Sequence, residues 1–480
     1  MRVIATITGR YSFTFCYYVI LIFNFYLLSN LPGALIQSLK DVKGFDERSF
    51  IDAHQVPAHI TSIRLNPAKP LNEADLPVEA IVPWCKTGRY LSQRPSFTLD
   101  PAFHGGAYYV QEASSMFIDH VVKQLYNDGN QPAHVLDLCG APGGKSTLLA
   151  AALPGSFIVS NEVIKTRVTV LAENISKWGS SNVVVTHNDP KDFKRLPGYF
   201  DLMMIDAPCS GSGLFRKDAH AISEWSEANV QLCTMRQQRI LADVIGSLKE
   251  NGYLIYSTCS YSKEENEDIC DWIGDQFQLR RVNIDIDPSW GIVKTQSSKH
   301  AVPGYRFYPD KVKGEGFFIA CFQQTNPVDQ YYQNYKPATS ISKQERTIIE
   351  KWIGFAANYI FTKQQELIVA FPAKWHEEIA AVSKCLAIRK SGVAIGSVKG
   401  NDLVPHHELA LSNMISPDVP FVQLNKAQAL QYLRRQDLHV ETNLKGWALA
   451  QYKGINLGWM KVLPNRVNNY YPVNWRILKS

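Results

Sequence analysis

Between His134 and about Phe322 the chain alternates short apolar runs with stretches of helical character, and no other feature constrains the fold as much. HVLDL, FIVSN, VVVTH, DLMMID and YLIYST have strand length, while KSTLLAAAL and the segments 164–178, 229–249 and 264–277 read as helices. Strands separated by helices pair in parallel, since each connection must carry the chain back to the same end of the sheet. The prediction is an α/β core, a Rossmann-like doubly wound and mostly parallel sheet, closed antiparallel by the late strand GFFIACF after Gly314 and Gly316. Such sheets bind ligands outside the carboxyl ends of their strands, so the residues there are the candidates for function.

The first strand is followed by Cys139-Gly140-Ala141-Pro142-Gly143-Gly144-Lys145-Ser146-Thr147. Glycines let the backbone approach a ligand, and the next helix offers free N–H groups. Gly144-Lys145-Ser146 imitates the end of a phosphate-binding P-loop, but that motif needs glycine where this chain has Cys139. Glu162, Asp189 and Asp206 stand at the ends of the second, third and fourth strands. Glu162 is placed to accept from ribose hydroxyls and Asp189 to face an adenine edge. Three carboxylates on one rim repel a triphosphate but suit a nucleoside bearing a sulfonium, as in S-adenosylmethionine. Taken singly, each could be a cap or turn former.

Cys209, in Asp206-Ala207-Pro208-Cys209-Ser210, and Cys259, in Ser257-Thr258-Cys259-Ser260, end the fourth and fifth strand-like runs. A thiolate is a strong nucleophile near neutral pH, and a second thiol nearby can move protons, so the pair suits covalent catalysis. The competing reading is that free cysteine is a small buried hydrophobe, which fits the other seven of the nine, Cys139 included. No C-x-x-C pair occurs, so neither a disulfide framework nor a structural zinc site is indicated, and a reducing, cytoplasmic setting is expected.

Around this core (131–324) the sequence suggests a leader at 31–130, read as short helical stretches broken by prolines, and a polar linker over 325–339. A small helical or mixed unit at 340–390 and a strand-rich unit at 391–480 follow. From Gln431 to Ser480 eight Lys or Arg face two acids, which accounts for the whole net charge of +6. Tyr432, Trp447, Tyr452, Trp459, Tyr470, Tyr471 and Trp475 lie among them. Interleaved bases and aromatics suit a nucleic acid with stackable bases; the alternative is a small domain with aromatic core and solvated basic face. Residues 1–28 are an apolar segment without a clear cleavage site, expected to be a misplaced start rather than a membrane anchor.

DLCGAPGGKST, NEVIKTRVTVLAENISKWG, DAPCSGSGLFRKD, YSTCSYSKEENED and GEGFFIACF resemble, in order, the motifs of the NOL1/NOP2/Sun family of RNA 5-methylcytosine methyltransferases. SIRLNPAK and the stretch from Val82 to Phe117 are similar to that family's N-terminal extension, and KGWALAQYKGINLGWMKVLPNRVNNYYP resembles the PUA-like tail of its bacterial small-subunit ribosomal RNA branch. The resemblance implies an N-terminal α/β RNA-binding extension, a methyltransferase core and a C-terminal α+β PUA-like region. It implies Cys259 as nucleophile toward carbon 6 of cytosine, and Cys209 in proton removal or product release. Asp206 would bond the base, with Cys139, Gly140, Ala141, Pro142, Gly143, Gly144, Lys145, Glu162, Arg167, Asp189 and Asp206 about S-adenosylmethionine. The expected partner is RNA, 16S ribosomal RNA first and transfer RNA as alternative, with no metal, no membrane and a monomer. A non-catalytic ribosome-assembly factor on the same fold is the rival from a different class.

Overall fold

The computed structural model describes residues 31–55, 60–127, 129–329, 331 and 341–478. Residues 1–28, and with them the expectation of a misplaced start, lie outside that set. Among the described residues no helix is long and apolar enough to cross a membrane.

The central sheet contains β1 (His134–Asp137), β2 (Phe157–Asn161), β3 (Val183–Thr186), β4 (Phe200–Asp206), β5 (Leu248–Thr258), β6 (Arg280–Val282), β7 (Val293–Gln296), β8 (Pro303–Phe307), β9 (Phe317–Gln323) and β10 (Ile388–Lys390). Their spatial order is β7-β8-β9-β5-β4-β1-β2-β3-β10, with β6 beside β9. Strands β1 to β5 run parallel, and β9 closes against β5 antiparallel as its late position predicts. Both faces are covered, so consecutive strand residues are apolar in the middle of the sheet: Val135, Ile158 and Met204 pack on one side, Leu136, Val159 and Met203 on the other. Helices α1 (Gly144–Ala152), α2 (Lys165–Trp178), α3 (Glu227–Val244) and α4 (Glu267–Phe277) lie between the strands in sequence. Ser226 caps α3, and Gly179, at φ +87°, ends α2.

The leader departs from its helical reading. Helices are present at Gly33–Leu39, Glu47–Gln55 and Pro101–His104, but Thr61–Leu65, Val78–Ile81, Gly88–Leu91 and Tyr108–Val110 build a four-stranded antiparallel sheet. Strands of three to five residues are too short to display alternation. The leader is also welded to the core. Arg64, fully buried, donates to Gln111 Oε1 (2.9 Å), the Gly144 carbonyl (3.2 Å) and Thr147 Oγ1 (2.6 Å), and stacks 4.4 Å from the Trp178 ring. Lys69 Nζ donates to the Gly105 and Lys177 carbonyls at 2.6 Å, satisfying an acceptor at the end of α2.

Beyond the core, helices Lys343–Glu350 and His376–Cys385 flank the hairpin Tyr359–Gln364 and Leu367–Pro372. Leu367–Pro372 pairs with Val393–Lys399, so a boundary at 390/391 falls inside one sheet, while β10 joins the core sheet beside β3. Pairing across an intervening helix leaves no local mark in the sequence. A last sheet holds Phe421–Gln423, Gly446–Tyr452, Ile455–Leu463 and Arg466–Asn469. Its aromatics divide: Tyr432, Trp459 and Tyr471 are buried, whereas Tyr470 is exposed and meets Trp447 at 4.5 Å. Lys453 is paired with Asp75 of the leader, and Trp475 packs under Lys177 of α2. Part of the basic, aromatic pattern therefore builds the domain core and its contacts.

Candidate active site

β4 and β5 are parallel neighbours in a register that sets Asp206 opposite Ser257. The loops that leave them emerge side by side, and Cys209 Sγ and Cys259 Sγ lie 3.1 Å apart, both partly exposed. Gly211, at φ +74°, turns the first loop. Gly213 N then donates to the Cys259 carbonyl (2.9 Å), and Gly316 N, just before β9, donates to the Gly213 carbonyl (3.3 Å). Cys209 is held protonated: its hydrogen bond with Cys259, then burial, then the charges of Cys259 and Glu265 push its thiol well above the usual range.

Behind the thiols sits a carboxylate that motif reading passed over. Glu265, fully buried, accepts from Ser210 N (2.7 Å), Ser210 Oγ (2.6 Å) and Ser260 Oγ (2.5 Å), and so bonds the residue after each cysteine. Burial raises its pKa, against the opposing pull of these hydrogen bonds. In sequence it is one acid within KEENED, and nothing local separates it from the exposed Glu264 beside it.

Asp206 Oδ2 accepts from Lys145 Nζ at 2.7 Å and Oδ1 from Ser257 Oγ at 2.8 Å. Burial pulls the Lys145 ammonium down, but the pairing with Asp206 outweighs it and the net shift is upward. Lys145 Nζ also stands 5.8 Å from the Phe317 ring centre. Together these place a fixed cation, a carboxylate and two thiols at one sheet edge.

The glycine turn runs from Cys139, which packs against the core and whose thiol is pushed up by burial, to α1. Gly143 adopts φ +117° at the helix start, and a Cβ on Gly140 would press on Ser146 Oγ at 2.9 Å. A cavity of about 180 Å³ opens here, lined by Cys139, Gly140, Ala141, Pro142, Gly144, Lys145 and Asp206. Its other wall is Tyr109, Val110, Gln111 and Glu112 of the leader, residues that sequence reasoning did not select because a sheet partner, not a motif, brings them there. Asp137, fully buried at the end of β1, keeps one hydrogen bond from Ser146 Oγ (2.6 Å), and burial pushes its carboxyl up to about 7.

The other predicted residues sit around the turn. Glu162, almost fully buried, accepts from Ile164 N (2.9 Å) and pairs with Arg167 at 3.2 Å. Arg167 also donates to the Ala141 carbonyl (2.7 Å), so it braces the turn. Asp189 caps the short helix Pro190–Arg195 through Lys191 N and lies 3.9 Å from Arg239; like Gly143, Glu162 and Arg167, it is not among the residues lining the cavity. Backbone N–H groups, paired carboxylates and a glycine cradle fit a nucleoside with a cationic centre.

Comparison with known proteins gives three consecutive matches. Residues 125–323 match the family described as 16S rRNA methyltransferase RsmB/F, residues 31–113 the N-terminal domain of 16S rRNA methyltransferase RsmF, and residues 419–477 the methyltransferase RsmF PUA domain. The chain is 32% identical over 412 residues to ribosomal RNA small subunit methyltransferase F of Psychromonas ingrahamii, covering 82% of this chain and 84% of that one. The protein of the same name from Klebsiella pneumoniae is 30% identical, with 82% and 83% covered. Among solved structures, NSun6 from Pyrococcus horikoshii with SFG shares the fold at TM-score 0.51 and 19% identity, covering 62% of this chain and all of that one.

Proposed function

The chain belongs to the RsmB/F family of 16S rRNA methyltransferases, and from that membership we propose that it methylates carbon 5 of a cytosine in 16S ribosomal RNA, using S-adenosylmethionine. The observation that carries the chemistry is the 3.1 Å separation of Cys209 and Cys259 beside the Lys145–Asp206 pair. When bound, the cofactor supplies a methyl group on a cationic sulfur. Residues of the glycine turn, with Glu162, Lys145 and Asp206, would hold it.

Carbon 5 of cytosine is weakly nucleophilic. Attack by the Cys259 thiolate forms a bond from Sγ to carbon 6, breaks the 5,6 double bond and leaves an enamine whose carbon 5 is reactive. As the thiolate adds, the ring nitrogen takes up a proton along its hydrogen bond with Asp206, which also accepts from the amino group, so that the enamine is neutral; Lys145 holds that carboxylate in place. After transfer the carbon 5 proton leaves to a base, the 5,6 double bond re-forms and the bond from carbon 6 to Sγ breaks. Cys209, next to the departing sulfur, serves proton movement in that release. A thiol reaches carbon 6 only if the base is unstacked, so the target is single-stranded or flipped.

RNA recognition then falls to the leader and the C-terminal sheet, whose exposed Tyr470 and basic residues flank the domain core. The expected setting is the cytoplasm, where ribosomal RNA is made available. Bisulfite sequencing of RNA from a deletion strain tests the proposal: one 16S cytosine should lose its methyl mark and regain it on complementation. Loss confined to transfer RNA, or no loss at all, would overturn it.

A further inference from the structure

The two cysteine loops belong to different strands; Ser212 Oγ links them directly, accepting from Tyr261 N at 2.8 Å, and Glu265 links them from behind, bonding the residue that follows each cysteine. One oxygen, Oε1, accepts from Ser210 N at 2.7 Å and faces Gln237 Nε2 at 3.4 Å. The other, Oε2, accepts from Ser210 Oγ at 2.6 Å and Ser260 Oγ at 2.5 Å. The backbone of the same residue is pinned as well, because Tyr256 Oη donates to the Glu265 carbonyl at 2.7 Å. Next to it, Asn266 accepts from Thr258 Oγ1 (2.6 Å) and donates to the Ser260 carbonyl (2.8 Å). A buried carboxylate is costly, and this one is retained by donors from both loops at once.

We propose that Glu265 is the positioning residue of the thiol pair: by binding Ser210 and Ser260 together it fixes Cys209 and Cys259 at hydrogen-bonding distance, so that one proton is shared between them. Glu265 touches neither the base nor the cofactor cavity; its action passes through the two serines. The proposal rests on the assignment of Cys259 to attack and Cys209 to release. With the clamp in place, the proton on Cys209 is available to the sulfur that leaves carbon 6. With the clamp loosened, Cys259 can still attack, but its partner no longer follows it. The titratable groups interacting with the pair and clamp are Glu264, Cys233 and Tyr256, while Lys145 is the cation facing Cys259.

Two readouts test this on the full-length protein. The first is the pH dependence of Cys259 alkylation by iodoacetamide, followed by peptide mass spectrometry in wild type, Cys209→Ala, Glu265→Gln and the double variant. Glu265→Gln should displace the profile in the same direction as Cys209→Ala, and the double variant should match Cys209→Ala alone. A Glu265→Gln profile identical to wild type, or shifts that add in the double variant, would overturn the clamp. If instead Cys209→Ala leaves the profile unmoved, the thiol-pair reading itself fails, whatever Glu265 does.

The second readout is the covalent RNA adduct on denaturing gels. Glu265→Gln should accumulate adduct several-fold over wild type while cofactor affinity is unchanged. A variant that forms no adduct with intact cofactor binding would show that Glu265 serves attack, contrary to the proposal. Should Glu265→Gln not fold, Ser260→Ala removes the hydrogen bond from the Cys259 loop and Ser210→Ala the side-chain bond from the Cys209 loop, whose backbone bond remains; both carry the same expectations at smaller amplitude.

Discussion

Lys145 Nζ lies 2.7 Å from Asp206 Oδ2, and this contact ties the helix that opens the cofactor side to the strand end that faces the thiols. Both residues are only partly exposed, so the pair is a fixed dipole and not a surface ion pair.

Replacing the lysine should therefore damage chemistry more than binding. Lys145→Met is expected to slow single-turnover methyl transfer by about 10²-fold or more. Cofactor affinity, measured by calorimetry, should fall by much less. Equal losses in both would place Lys145 in binding alone.

The cysteines should fail differently. Cys259→Ala is expected to abolish methyl transfer and leave no covalent RNA, while Cys209→Ala retains an adduct that survives denaturing electrophoresis. Methylation by Cys259→Ala would refute the assigned roles.

Gly213 tests how closely the Cys259 loop is held. A Cβ there would sit 2.5 Å from the Gly316 carbonyl oxygen and 2.8 Å from that of Cys259. Gly213→Ala should displace the Cys259 loop and reduce transfer by about 10²-fold, the usual cost of a misplacement near 1 Å. Thermal unfolding should also shift downward, because Gly213 is buried and both contacts are with backbone atoms.

Arg64 tests the weld between leader and core. Arg64→Met removes donors to Gln111, Gly144 and Thr147 and leaves buried acceptors unmet. Urea denaturation should register a loss of about 3 kcal/mol. Cofactor affinity should weaken about tenfold, because Gln111 and Gly144 both line the cavity.

Asp137 gives a pH signature. Its carboxyl titrates near 7 in the fold, against an ordinary value of 3.8. Below the ordinary value both folded and unfolded chains hold the proton; between there and about 7 only the folded chain does, so stability falls as pH rises through that window and then levels. Asp137→Asn should remove this contribution and flatten the curve, with a gain above pH 7 on the order of a few kcal/mol. Unfolding free energies at pH 4, 6 and 8 that run parallel in the two proteins would contradict it.

Much of the site was legible because it sits on local patterns. A glycine turn after an apolar run, and cysteines ending two strand-like runs, are properties of a few consecutive residues. Arg64, Gln111 and Glu265 were not legible. An arginine in SIRLNPAK and an acid in KEENED look solvated, and only their burial among partners from distant segments distinguishes them. The leader strands escaped for a related reason: at three to five residues each, their pairing and not their composition makes them strands.

The sequence by itself determined the parallel core, the chemistry of its strand ends and the family, since strand and helix periodicity and motif order are written along the chain. The tertiary structure decided what makes those residues a site: the adjacency of β4 and β5 that brings Cys209 to Cys259, the leader wall of the cavity, and the carboxylate that joins two loops. These depend on which strands become neighbours and which charges lose their water. Both are set by the packing of the whole chain, because a hydrogen bond between residues fifty positions apart has no trace in the residues around either one.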